Sequence, residues 1–187
     1  MIVLIGGISA VGKTSIAKSL LTRRGIPYFS IDMLMMGMYR GIDNCGFTPL
    51  SPLEEIVEKI WPIVREMIKT DIENNLDYLF EGFQILPRHI PAISDIYRKD
   101  ILAYFITFSE KFIAENYEMI KKRRSEVENR SDIEGKESMI ANSKRLIEEG
   151  NHYNQKISVI ERTYFEEREK IIQSIEKDIE HRKQERN

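Results

Sequence analysis

Four apolar residues, Ile2-Val3-Leu4-Ile5, lead directly into Gly7-Ile8-Ser9-Ala10-Val11-Gly12-Lys13-Thr14, and a helical pattern follows at once. No other stretch restricts the fold of this chain as much. The order of buried strand, glycine-bracketed turn and helix fits the phosphate-binding pattern G-x-x-x-x-G-K-[ST] without a gap, in the context that pattern requires. Glycines let the backbone bend so that successive N–H groups point inward at one anion. The free N–H groups and positive dipole end of the next helix add to the same effect. Lys13 supplies a point charge for β- and γ-phosphates, and the Thr14 hydroxyl a ligand for Mg²⁺. These residue types imply a bound nucleoside triphosphate, with loop contacts running from Gly7 through Ser15. The competing reading is an ordinary glycine-rich strand-to-helix turn.

The chain has 187 residues, 42% hydrophobic and 31% charged, with formal net charge −2. That suits one globular domain large enough for a two-sided sheet core. A net charge so near zero argues against a broad nucleic-acid or anionic-membrane surface. The single cysteine, Cys45, excludes an intrachain disulfide framework and a cysteine-based zinc site, and reads as a packed or loop thiol. The apolar start has no basic region before it and runs straight into the loop, so it reads as a strand rather than a signal peptide. No apolar stretch approaches the roughly 18 residues needed to span a bilayer. A soluble cytoplasmic chain is expected, with monomer and homodimer both open.

Short apolar runs alternate with helical patterns, which predicts parallel strands joined by crossover helices. Strand 1 is about Ile2–Ile5, and a helix from Gly12 to about Arg24 packs Ile16, Ala17, Leu20 and Leu21. Gly25 stops it, and Ile26–Ser30 reads as strand 2. The Met-rich Met33–Met38 segment reads as a helical core stripe rather than a sulfur metal site. Ser51-Pro52-Leu53-Glu54 predicts a helix start with serine as cap, and Ile56, Ile60, Val64, Met67 and Ile68 form its apolar face to about Asn75. Asp77–Glu81 is strand 3. Ile101–Phe108 has the unbroken apolar character of a strand buried in a parallel sheet. Charged helical sequence fills Glu110–Glu149, with polar Asn129–Lys136 as a mobile loop and Gly150 as a break. Lys156–Ile160 is a weaker fifth strand, and Phe165–Arg182 a last amphipathic helix on Ile171, Ile172, Ile175 and Ile179. Such an order implies an α/β fold: a doubly wound, five-stranded parallel sheet with helices on both faces and ligands at the carboxyl ends of its strands.

With these features the chain resembles the small P-loop kinases, the group of shikimate kinase, chloramphenicol phosphotransferase, 2-phosphoglycerate kinase, zeta toxin and the nucleoside kinases. Three features match in order beyond the loop. Ser30-Ile31-Asp32 ends strand 2, where the group places an aspartate facing the substrate hydroxyl. Phe80-Glu81-Gly82-Phe83-Gln84-Ile85-Leu86-Pro87 ends strand 3 and is similar to the Glu-Gly segment of uridine kinases and, in its proline spacing, of 2-phosphoglycerate kinases. The basic run Lys121-Lys122-Arg123-Arg124 follows strand 4, where the group carries lid arginines. The resemblance implies an ATP- and Mg²⁺-dependent phosphotransferase acting on a hydroxyl of a small molecule. Its lid would span about Ile113–Gly150, with Asp32 activating the acceptor, Glu81 supporting it or holding Mg²⁺, and Arg123 or Arg124 closing over the transferred group.

Simpler roles compete for these residues. Asp32 also suits a helix cap, Glu81 a structural strand-end acid, and the basic run a solvated helix face. Arg130 competes with Arg123 and Arg124 for the lid role. Arg40 and Arg88 fall near the expected substrate side, and His89 reads as a surface histidine. Glu161-Arg162-Thr163-Tyr164 is a loose match to the group's adenine-contact turn. A toxin- or resistance-type kinase acting on a nucleotide sugar or an antibiotic is one rival. A nucleotide-dependent switch is the other, although neither N-K-x-D nor Asp-x-x-Gly is present to support a GTPase.

Overall fold

A computed structural model describes residues 1–128 and 134–186. Its elements alternate as the patterning requires: β1 (Ile2–Gly7), α1 (Lys13–Arg24), β2 (Tyr28–Ser30), α2 (Ile31–Gly41), α3 (Leu53–Glu73) and β3 (Tyr78–Glu81), then α4 (Asp95–Arg98), β4 (Ile101–Phe108), α5 (Glu110–Glu128), α6 (Lys136–His152), β5 (Ile157–Ile160) and α7 (Tyr164–Arg186). The five strands form one parallel sheet in the order β2-β3-β1-β4-β5. Every residue of β1 is buried, on both faces of the pleat, which demands helical cover above and below. The chain first builds leftward from β1 and then rightward, so β1 lies where the direction reverses. Ligands of doubly wound sheets sit at that point.

Helix faces follow the periodicity, with local exceptions. In α1, Ile16, Ala17 and Leu20 are fully buried, but Leu21 is 42% exposed, because the stripe one turn wide ends at Leu20. In α3, Ile56, Ile60, Val64 and Ile68 are buried, and in α7 Ile172, Ile175 and Ile179. Only Met35 of the Met-rich segment is buried; Met33 points outward. Ser51 does not cap α3. Its hydroxyl accepts from the Thr48 backbone N–H at 3.1 Å, closing the preceding turn, and the helix starts one residue later than expected, after Pro52. Cys45 is a half-buried loop thiol whose Sγ donates to the Phe47 carbonyl.

Gly150 does not break a helix. It is buried inside α6, where a Cβ would run into the Ile157 side chain of β5, so glycine here permits a close helix–strand approach. Of the expected mobile loop, residues 129–133 lie outside the described residues, and Lys136 opens α6. Among the described residues no helix is long and apolar enough to cross a membrane.

Candidate active site

After β1 the chain curls through residues 8–12 and enters α1 at Lys13. Ala10 (φ 60°) and Gly12 (φ 102°) both take left-handed conformations, turning the loop back on itself. At Gly12 the requirement for glycine is double, since a Cβ would also collide with the Tyr164 hydroxyl. No side chain caps α1, so its first-turn N–H groups face the loop without an internal acceptor of that kind. Lys13 is 8% exposed and lies over the loop, Nζ donating to the carbonyls of Gly7 (3.1 Å) and Ile8 (2.9 Å).

Strand ends bring two carboxylates to the same place. Glu81 closes β3, in register with Ile5 of β1 and Ser30 of β2. It is 2% exposed, and its Oε1 accepts from the Thr14 hydroxyl at 3.0 Å. Burial pushes its carboxyl up from the usual range and Asp32 adds to this, while Lys13 and the hydroxyls of Ser30 and Thr14 pull it down. A buried carboxylate touching a threonine hydroxyl at a phosphate loop is an all-oxygen donor set of the kind a hard divalent cation takes. Asp32 stands in the first turn of α2, which starts after Ser30 with no side-chain cap. Its Oδ1 instead accepts from Gln84 Nε2 at 2.8 Å, and Gln84 is 1% exposed.

Three guanidiniums close the other side. Arg123 donates to the Ala10 carbonyl and stacks on the Tyr164 ring, Cζ 3.4 Å from its centroid. Arg124 donates to the Ser9 hydroxyl. Arg168 donates to the Ser15 hydroxyl at 2.8 Å and lies 5.8 Å from the Tyr164 ring. Burial lowers the Arg123 pKa, and the nearby Arg168 charge acts in the same direction. Among the described residues, Arg123 Nη1 and Arg168 Nε are buried nitrogens with no hydrogen-bond partner. Converging cations with donors to spare are what an anion would satisfy. Together these groups line a cavity of about 310 Å³.

The remaining candidates separate. Lys121 and Lys122 are exposed, unlike their two arginine neighbours, and Arg130 lies outside the described residues. Arg40 is exposed and lines neither cavity of the loop region. Arg88 bonds Glu54 and Glu149 at the margin of a neighbouring cavity. His89 is not at the surface: it is 5% exposed, stacked on Trp61 at 3.8 Å, with Nδ1 accepting from the Leu86 N–H. Burial lowers its pKa to about 3, so it packs as a neutral ring. In the turn Glu161–Tyr164, the amides of Glu161 and Arg162 are already held by the Glu167 carboxylate.

No family model and no curated protein matches the sequence. Solved structures do match over nearly the whole chain. A sugar kinase from Janibacter sp. aligns over 94% of both chains, with TM-score 0.52 and 17% identity. A kinase candidate from Chloroflexus aurantiacus aligns over 94% of this chain and 96% of its own, with TM-score 0.58 and 14% identity. Shikimate kinase from Aquifex aeolicus aligns over 96% and 98%, with TM-score 0.55 and 11% identity. The fold is that of the small-molecule P-loop kinases. At such identities the likeness shows the architecture alone.

The sequence alone gives no site role to Gln84 or Arg168, and offers Tyr164 only as part of a loose adenine-contact turn. Gln84 stood inside the quoted Glu-Gly segment, but its partner is 52 residues away. Tyr164 and Arg168 are four apart, hence on one helix face, a signal that appears only once α7 is known to begin at Tyr164.

Proposed function

We propose that this protein is an ATP-dependent phosphotransferase that moves the γ-phosphoryl group to a hydroxyl of a small molecule. One observation carries the reading: two carboxylates, the buried Glu81 on Thr14 and the half-buried Asp32 on Gln84, face a P-loop lysine in a single cavity. Phosphoryl transfer asks little covalent work of a protein beyond positioning and charge neutralisation. Lys13 and the loop amides would hold the β- and γ-phosphates. Thr14, with Glu81, would hold Mg²⁺, which when bound neutralises charge on the phosphate oxygens. Asp32 accepts the proton of the acceptor hydroxyl and fixes its direction, and Gln84 fixes Asp32. Arg123, Arg124 and Arg168 donate to phosphate oxygens and screen the site from water, which limits hydrolysis.

The residues between about Ile113 and Gly150 serve in this reading as a lid on one P-loop kinase domain that spans the chain. Arg123 and Arg124 already bond the loop from α5, the contact a closing lid needs. A metabolite panel with ATP and Mg²⁺ tests the function: ATP consumption should rise on adding one hydroxyl compound. ATP turnover that no compound accelerates, coupled to a conformational change, would replace the kinase with a nucleotide switch.

A further inference from the structure

A second cavity of about 450 Å³ opens beside the P-loop and shares Ser9, Pro49 and Phe83 with the first. A molecule presenting a hydroxyl to Asp32 therefore has this space for the rest of its body. One wall is apolar, made by Pro52, Leu53 and Ile56 at the start of α3, with Leu86 and Leu146. Beside Leu146, α6 and the residues just before it also bring Glu134, Asn142, Arg145 and Glu149 to the cavity, two carboxylates against one guanidinium.

Its cations are already claimed. Glu149 Oε1 accepts from the Arg88 N–H (3.3 Å) and from Arg88 Nη1 (3.2 Å), and Arg88 Nη2 donates to Glu54. Arg145 stands 3.9 Å from the Glu54 carboxylate. Glu134 is placed differently. Asn142 Nδ2 donates to its Oε2 at 2.9 Å, while Oε1 is buried with no hydrogen-bond partner. A buried acceptor left without a donor is destabilising, and a ligand that supplies the donor relieves it. Burial pushes the Glu134 carboxyl up, against the pull of Asn142, Lys13, Arg124 and Arg145.

We propose that this cavity seats the body of the phosphate acceptor, and that the acceptor is an uncharged or cationic alcohol with an apolar body and a nitrogen donor that meets Glu134 Oε1. The proposal rests on the kinase reading of the adjoining site. The volume lies in the range of sites for small organic ligands. Sugar acids and sugar phosphates fit poorly: their anion would lie beside Glu134 and Glu149, where Arg145 and Arg88 already face carboxylates. An apolar body buries against Leu53, Ile56 and Leu146, and an N–H supplies the donor that Oε1 lacks.

Three probes of one size test this on the full chain: phenylalaninol, 3-phenylpropane-1,2-diol and 3-phenyllactate share a phenyl body and a hydroxyl but carry an amine, no charge and a carboxylate. Ligand-observed NMR titration should rank them in that order, with phenylalaninol at least about tenfold tighter than phenyllactate, a 1.4 kcal/mol difference. Glu134→Gln should bring the amine and the diol close together, and Leu53→Trp, which fills the apolar wall, should weaken all three. Phenyllactate binding as tightly as phenylalaninol overturns the proposal, as does binding indifferent to Leu53→Trp or no binding by any probe at millimolar concentration. The wild-type ranking decides the charge preference whatever the variants do. ATP titrated into the same samples reads the P-loop separately: a preserved probe ranking without ATP binding would sink the kinase reading and leave the cavity's selectivity standing.

Discussion

Ser9, Pro49 and Phe83 stand between two cavities whose side chains differ in sign. On the P-loop side, Lys13, Arg123, Arg124 and Arg168 converge on one space lined also by the carboxylates of Asp32 and Glu81. On the α3–α6 side, Glu134 and Glu149 share an apolar space with Arg145, which Glu54 already faces. In the proposed function the first holds an anion and the second turns one away. Three shared residues thus separate two binding chemistries, which is what the proposed two-substrate transfer needs: each reactant would be drawn to its own side and meet the other at Asp32.

The sharpest way to break this contrast is Lys13→Ala. Removing a charge that meets the triphosphate most strongly in the transition state should lower turnover by about 10³ with the fold intact, since one preorganised electrostatic contact is worth up to that much. Turnover within a few-fold of wild type, measured with whichever acceptor the panel yields, would remove the anion-holding side of the comparison.

Asp32→Asn probes the border. Asparagine keeps the shape and can still meet the Gln84 amide through its oxygen, but it loses charge and basicity. Transfer should fall by about 10², as for loss of a general base, while ATP affinity and melting temperature stay near wild type. A matching loss of stability would mean that the carboxylate serves α2 and not the acceptor.

A smaller effect is expected from Arg124→Lys, which keeps the charge and loses the planar fork that reaches Ser9. Activity should drop by about tenfold, the equivalent of one charge-assisted hydrogen bond. Hydrogen exchange across α5 and α6 should slow most when nucleotide and acceptor are present together; unchanged exchange with a fully active lysine variant would leave that face merely solvated.

The mildest consequence concerns pH. Burial raises the Glu81 carboxyl above its unfolded value, so the folded state keeps its proton to higher pH than the unfolded chain does. Stability is then full at acid pH and declines as pH rises from the ordinary carboxylate range through the raised value. Glu81→Gln should flatten this slope and raise the melting temperature a few degrees at neutral pH, while impairing Mg²⁺-dependent transfer. Wild-type and variant melts with identical pH dependence would show that Glu81 carries no such penalty.

How much could be read from residues alone follows from the range of each interaction. The P-loop is a local signal: Gly7 through Thr14 dictate strand, turn and helix without help from elsewhere, and β4, apolar in all but one of its residues, announces its burial in its own composition. The parallel, doubly wound sheet followed from the alternation of apolar runs with helical patterns, whereas the strand order came only with the structure. What stayed hidden depends on contacts far apart in the chain. His89 looks like a surface residue until Trp61 is laid against it, Gly150 looks like a break until Ile157 is packed on it, and Ser51 looks like a cap until its hydroxyl is seen turned toward Thr48. The acidic wall of the second cavity could not be read at all, because Glu134 and Glu149 are two acids in a charge-rich stretch with nothing local to distinguish them.

One contact bears on how the protein is made. Arg168 and Tyr164 of α7 brace Ser15 and Gly12, and Arg23 and Arg24 of α1 pair with Glu169, Glu176 and Glu180 of α7. The first helix of the chain is thus held by the last. Synthesis delivers β1 and its glycine turn well before α7, so the brace on that turn arrives only after residue 164 has cleared the ribosome. In the proposed function, competence to bind nucleotide would therefore be completed only when α7 docks on α1.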